Sequence, residues 1–130
     1  MALNVEFIRD EWIPALRSGE FEQGIGYLNY DNKYCCLGVA CEILSRKGMV
    51  NKQRTPYYEN KLVTYDGEGT SLPEKIAEFI GIDIDGRMED AAGLNVLNDR
   101  YLENFTKIAD ILEQAINPNL QTKLKEYKSA

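Results

Sequence analysis

Apolar residues recur at helical spacing in four stretches of the chain. Phe7, Ile8, Trp12, Ala15 and Leu16 share one helical face, and Gly19 follows as a helix-ending residue. Pro14 interrupts this pattern by removing a hydrogen bond and crowding the preceding turn. Either the helix kinks there or a new helical turn begins. Leu37, Ala40, Cys41 and Leu44 form a second stripe at i, i+3, i+4 and i+7. Val39 and Ile43 widen it, which predicts a helix buried nearly all round and ending near Lys47-Gly48. Ile76, Ala77 and Ile80 mark a shorter helix that starts at Ser71-Leu72-Pro73-Glu74, with the serine as cap, and ends at Gly81. Phe105, Ile108, Ala109, Leu112 and Ile116 mark another, starting after Asn104 and stopping before Pro118.

The intervening stretches carry strand and turn signals. Gly24 to Tyr34 alternates in the manner of a hairpin, with Asp31-Asn32 as its turn. Leu62-Val63-Thr64-Tyr65 favours a strand closed by the turn Asp66 to Gly69. Residues 49–56 read as a polar connection, and 88–99 as a short helical or irregular segment. The order predicts an α+β fold: a small antiparallel sheet, a hairpin plus one or two strands, packed with four to five helices around the cysteine-containing helix. Residues 1–118 form one domain on this reading, and 119–130 a polar tail or short terminal helix.

Composition narrows the chemistry. The chain has 130 residues and 44% hydrophobic content, enough for a real core. No apolar run reaches the roughly 18 residues of a membrane span, and the start resembles no signal peptide, so a cytoplasmic protein is expected. A net charge of −6 argues against general nucleic-acid binding, because phosphate contacts need a basic surface. The only basic concentration is Arg46-Lys47 with Lys52 and Arg54, which leaves room for one small anionic ligand. Tyrosine is abundant, with eight residues, and such amphipathic rings suit ligand and partner surfaces.

All three cysteines fall within Tyr34-Cys35-Cys36-Leu37-Gly38-Val39-Ala40-Cys41. The absence of histidine and the spacing argue against zinc, which takes about four thiolate or imidazole ligands. Cys36 and Cys41 read as core residues, since free cysteine behaves as a small hydrophobe. Cys35 is open between two readings, core residue or reactive thiol, because it stands at a helix start where a thiol pKa can fall. Gly38 would let a backbone or a ligand approach closely.

Two blocks carry a family likeness. One runs from Trp12-Ile13-Pro14-Ala15-Leu16-Arg17-Ser18-Gly19 through Phe21 and Gln23 to Lys33-Tyr34-Cys35-Cys36-Leu37-Gly38-Val39. The other joins Leu97-Asn98-Asp99 to Phe105 and Ile108-Ala109-Asp110-Ile111-Leu112-Glu113. Together they resemble a widespread group of small phage, prophage and bacterial proteins. The polar residues in and beside these blocks, Arg17, Ser18, Gln23, Tyr34, Cys35, Asn98, Asp99, Arg100 and Tyr101, form a candidate ligand-binding set. Each also has a plain structural reading, as helix-end cation, cap or turn residue. Arg17 or Arg100 would take phosphate, Tyr34 or Tyr101 would stack on a base, and Asn98 and Asp99 would meet a ribose or base edge.

Without histidine, Ser/His and Cys/His pairing is impossible, and no phosphate-cradling glycine motif is present. The expectation is therefore a protein that is not an enzyme and needs no cofactor or metal. Some small phage-type proteins sequester nucleotide immune signals, and the likeness carries that analogy here. The leading reading is an accessory protein that sequesters a small nucleotide-derived ligand, the alternative a module that inhibits or modulates a host protein. A homo-oligomer stays open, and no membrane partner is expected.

Overall fold

The computed structural model describes residues 3–56, 58–85, 94, 98 and 104–117. Its order is α1 (Val5–Phe7), a π-turn (Ile8–Trp12), α2 (Ile13–Arg17), β1 (Glu22–Gln23), β2 (Asn29–Tyr30) and β3 (Lys33–Tyr34). Then come α3 (Cys36–Arg46), β4 (Lys52–Arg54), a one-turn segment (Tyr58–Asn60), β5 (Leu62–Tyr65), α4 (Glu74–Ile80) and α5 (Phe105–Ile116). The fold is α+β, as the hydrophobic pattern predicts. The terminal segment 119–130 lies outside the described residues, as does 88–99 except for Leu94 and Asn98.

The first helix answers the Pro14 question with a widened turn. Ile13 N–H donates to Ile8 O, five residues back, and α2 then restarts with Pro14 in its first turn. A proline there lacks only an N–H that a new helical turn does not need, and the π-turn makes room for its ring. Gly19 ends the segment with φ 79°.

The sheet has the order β1-β3-β2-β5-β4 and is mixed: β1 runs parallel to β3, and every other pair is antiparallel. Asp31 and Asn32 form the two-residue loop of the β2–β3 hairpin, both with positive φ (54° and 63°). That conformation gives a type I′ turn whose twist matches the strands. β4 corrects the reading of 49–56 as a connection. An edge strand exposed at all three positions is held by backbone pairing to β5 and needs no apolar alternation. β1 is likewise a strand where the sequence signalled only a loop.

One face of the sheet packs on α3. Asn29, Val63 and Tyr65 are buried there, and Tyr34 beside them is half-buried. The helix can lie this close because Gly38 has no side chain: a Cβ at that position would sit 1.7 Å from Leu28 O. The close neighbour is backbone of the preceding loop. As predicted, α3 is buried nearly all round, from Cys36 to Leu44 with only Ile43 partly exposed. The three thiols, one at its cap and two within it, are buried and form no disulfide, and Cys41 is pushed well up by burial. Trp12 closes the other side of the core and donates from Nε1 to Cys36 O at 3.0 Å.

α5 starts at Asn104, whose side chain accepts from Lys107 N–H, and buries Phe105, Ile108, Ala109 and Leu112. α4 differs from expectation at its start. Pro73, not Ser71, occupies the cap position, with no side-chain cap bond; its carbonyl accepts from Ile76 and Ala77 N–H. No helix among the described residues is long and apolar enough to cross a membrane.

Candidate functional site

The residues singled out in the sequence separate into an internal lock and isolated surface contacts. Gln23, on β1, donates from Nε2 to Asn98 Oδ1 at 2.8 Å and accepts from Phe105 N–H at 3.1 Å. The fully buried Asn98 accepts from Cys36 N–H at 3.2 Å and donates to Gly24 O at 2.8 Å. Two side chains thus tie the start of α3, the β1 loop and the start of α5 together. Cys36 Sγ adds a weak donor contact to Leu94 O at 3.5 Å.

This lock closes the N-terminus of α3. Cys36 N–H is taken by Asn98, and Gly38 N–H by the Sγ of the buried Cys35 at 3.4 Å. The sequence reading leaves Cys35 open between core residue and reactive thiol. The structure answers this: the buried Cys35 caps the helix, and the Cys36 and Gly38 end donors are taken internally.

Arg17, at the end of α2, points to α5, with Nη2 2.7 Å from Asp110 and 2.9 Å from Glu113. The hydrogen bonds it donates to Glu113 and Asp110 raise its pKa. Ser18 donates to Ala15 O and accepts from Glu20 N–H, a local turn lock. Tyr34 meets Phe21 edge-on at 5.1 Å, and burial followed by the charge of Glu42 raises its pKa. Asp99, Arg100 and Tyr101 lie outside the described residues. The fold therefore brings Gln23, Asn98 and the α3 start together, and it directs Arg17 to carboxylates of α5.

A second polar cluster absorbs two residues of the basic group noted in the sequence, Arg46 and Lys52. Glu42, buried on α3, accepts from Tyr65 Oη at 2.9 Å and pairs with Lys52 at 2.9 Å and Arg46 at 3.1 Å. Asn29 Nδ2 donates to Tyr65 Oη at 3.1 Å, while Asn29 Oδ1 is buried without a partner. Burial pushes the Glu42 carboxyl up. Hydrogen bonds from Lys52, Tyr65 and Arg46, with the charge of Lys52, outweigh burial and hold it below the usual range.

The open chemistry lies at the other face of the sheet. Register places Lys33, Tyr30 and Leu62 side by side there. Tyr27 stacks on Tyr30 with ring centroids 5.1 Å apart, and Tyr58 meets Tyr30 edge-on at 6.4 Å. Tyr58 is 57% exposed. Two hairpin tips meet at this end, joined by Asp31 N–H donating to Lys61 O at 2.8 Å. Tyr58, Glu59 and Asn60 all have positive φ (55°, 58° and 63°), as do Asp31 and Asn32 opposite them. Left-handed backbone costs roughly 1–2 kcal/mol for a residue such as Tyr or Glu.

Charge distinguishes this end as well. Among the described lysines and arginines before α5, all but Lys33 and Arg54 lie within 4 Å of a carboxylate. Arg54 donates from Nη1 to Asn60 O at 2.8 Å, beside Tyr58. Lys33 is the cross-strand partner of Tyr30. The signal in the sequence was the tyrosine content and the basic group containing Arg54. Strand register sets Lys33 beside Tyr30, whereas Arg54 is the partner of Val63 and reaches this end through its bond to Asn60 O.

No curated protein and no solved structure matches this chain. A family model described as a domain of unknown function (DUF8296) matches residues 4–116, which span the π-turn helix, the sheet, the Gln23–Asn98 lock and α5. The chain belongs to the DUF8296 family.

Proposed function

We propose that this protein binds a small nucleotide-derived ligand without transforming it, as a phage-type accessory protein that sequesters a signalling nucleotide of the host. The observation that carries the reading is the juxtaposition at the hairpin tips. Three tyrosines meet there beside Lys33, and Arg54, based on the opposite face as the partner of Val63, reaches the same tip through Asn60 O; both cations are without a carboxylate partner among the described residues, in a chain of net charge −6. Aromatic faces stack on any base, worth about 1–3 kcal/mol per base. A lysine and a guanidinium at the rim supply charge-assisted bonds to phosphate. The Arg17, Asn98 and Gln23 set supports this reading indirectly, by fixing the helices behind the sheet.

The test is a thermal-shift titration with ADP-ribose and cyclic di-AMP. Saturation at 100 times the dissociation constant stabilises the protein by about 2.7 kcal/mol. Tyr30→Ala and Lys33→Glu should each remove the shift, and raised salt should weaken it, because the phosphate contacts lie at the surface. The ligand should be recovered chemically unchanged. Absence of a shift with both probes, or a shift that survives both substitutions, would refute the proposal.

A second reading, a module that docks on a host protein, is favoured by Ile25, 57% exposed in the loop that carries Tyr27. Ile25→Asp separates the two: it should abolish a protein complex and leave a nucleotide shift intact.

A further inference from the structure

We infer that the left-handed turn Tyr58–Asn60 exists to hold the Tyr58 ring against Tyr30, making Glu59 and its clasp positioning residues for the tyrosine face. The use of that face rests on the proposed function; the placement of the ring stands apart from it.

A turn that only reversed the chain would be met most simply by glycine or asparagine, which take positive φ with little strain. Here two of three consecutive positions are Tyr58 and Glu59, at φ 55° and 58°. The Glu59 side chain contributes little in return: it is 84% exposed, and among the described residues its carboxylate meets only Lys61 Nζ, at 3.4 Å. The conformation is held by one bond of its own and two from neighbouring segments. Arg54 Nη1 donates to Asn60 O at 2.8 Å, Lys61 N–H to Tyr58 O at 3.0 Å, and Asp31 N–H to Lys61 O at 2.8 Å.

These bonds tie the turn to β4 and to the β2–β3 tip, so the ring position is set by two neighbouring strands. The outcome is a ring edge-on to Tyr30 at an interplanar angle of 74° that stays more than half exposed. Backbone strain held in place by surrounding structure is characteristic of ligand clamps and switch regions. Strain that displays a ring instead of burying it adds nothing to the core. Its effect is to order the ring before a ligand arrives, which lowers the entropy lost on binding.

Glu59→Gly tests this, with Glu59→Gln as control. Glycine takes φ near 58° without a Cβ penalty but enlarges the unfolded ensemble, so the two effects oppose. The melting midpoint should stay level or rise by about 2–4 °C. The nuclear Overhauser contacts between the Tyr58 and Tyr30 rings should weaken, and the Gln control should keep both midpoint and contacts. With whichever of ADP-ribose or cyclic di-AMP the wild type binds, the Gly variant should dissociate about threefold faster or more. Loss of ring contacts at a level or raised midpoint supports the inference. A lowered midpoint would make the turn a folding element, and intact ring contacts would show that it does not place the ring; either result overturns the inference. If the wild type binds neither probe, the proposed function falls, and the turn is judged on midpoint and ring contacts alone.

Discussion

Gly38 is the residue at which the fold tolerates least. Its missing side chain lets α3 cross Leu28 at a distance that a methyl group would occupy, since a Cβ there meets Leu28 O at 1.7 Å and Leu28 C at 2.6 Å. The atoms in the way are backbone, so no rotamer change relieves the overlap. Gly38→Ala should cost roughly 3 kcal/mol by overpacking, measurable as a lowered denaturant midpoint with an unchanged slope. The sequence already marked Gly38 as a point of close approach and left the neighbour open. Cys35 illustrates the opposite case. Its place at a helix start was legible, but whether the thiol faced solvent depended on burial, and burial is set by segments far along the chain. Asn98 is a stronger instance, because a lone Asn-Asp pair reads equally well as a turn or as a ligand group. Three of its partners, Gln23, Gly24 and Cys36, are more than 60 residues away in sequence.

At the scale of elements, α3 is joined to β4 and β5 through one buried carboxylate. Glu42 lies in the apolar stripe region of the helix and is made tolerable by Tyr65, Lys52 and Arg46. Glu42→Gln should cost about 1–2 kcal/mol at pH 7, because the buried Tyr65 hydroxyl loses a charged acceptor. The pH dependence has a definite sign. The folded pKa of Glu42 is lowered, so its ionised form stabilises the protein above the ordinary carboxylate pKa, and that contribution fades as pH falls through the folded value. Acid denaturation curves of the wild type and Glu42→Gln should therefore converge at low pH and separate towards neutrality. A constant offset across the range would count against the assignment. Helix ends at Gly19, Gly81 and Asn104 followed from local chemistry, and all three appear where the pattern places them. The short strands β1 and β4 did not, because their partners, not their own side chains, make them strands.

Across the whole molecule, the two ends of the described chain are fastened together. Arg17 of α2 reaches Asp110 and Glu113 of α5, but its side chain is 36% exposed and the acids are about half exposed. Solvent screening makes such a pair worth up to about 1 kcal/mol. Arg17→Ala should thus leave the fold intact, lower the melting midpoint by a few degrees at most, and leave any nucleotide response unchanged. Loss of that response in a folded Arg17→Ala protein would return the binding site to the α2–α5 side and displace it from the tyrosine face.

Hydrophobic period, capping residues and turn chemistry are local properties, and by themselves they determined the α+β class, the long helices, the hairpin turn at Asp31-Asn32 and the buried cysteine helix. The strands flanking that turn, Asn29–Tyr30 and Lys33–Tyr34, are shorter than the alternation from Gly24 predicts. Tertiary structure alone decided which polar groups are used up inside and which are displayed. Gln23, Asn98 and Cys35 are consumed because buried donors and acceptors must find partners, wherever in the chain those partners lie. Strand register, a relation between segments, sets Lys33 beside Tyr30, and contacts between loops bring Tyr27, Tyr58 and the Arg54 guanidinium to the same end of the sheet.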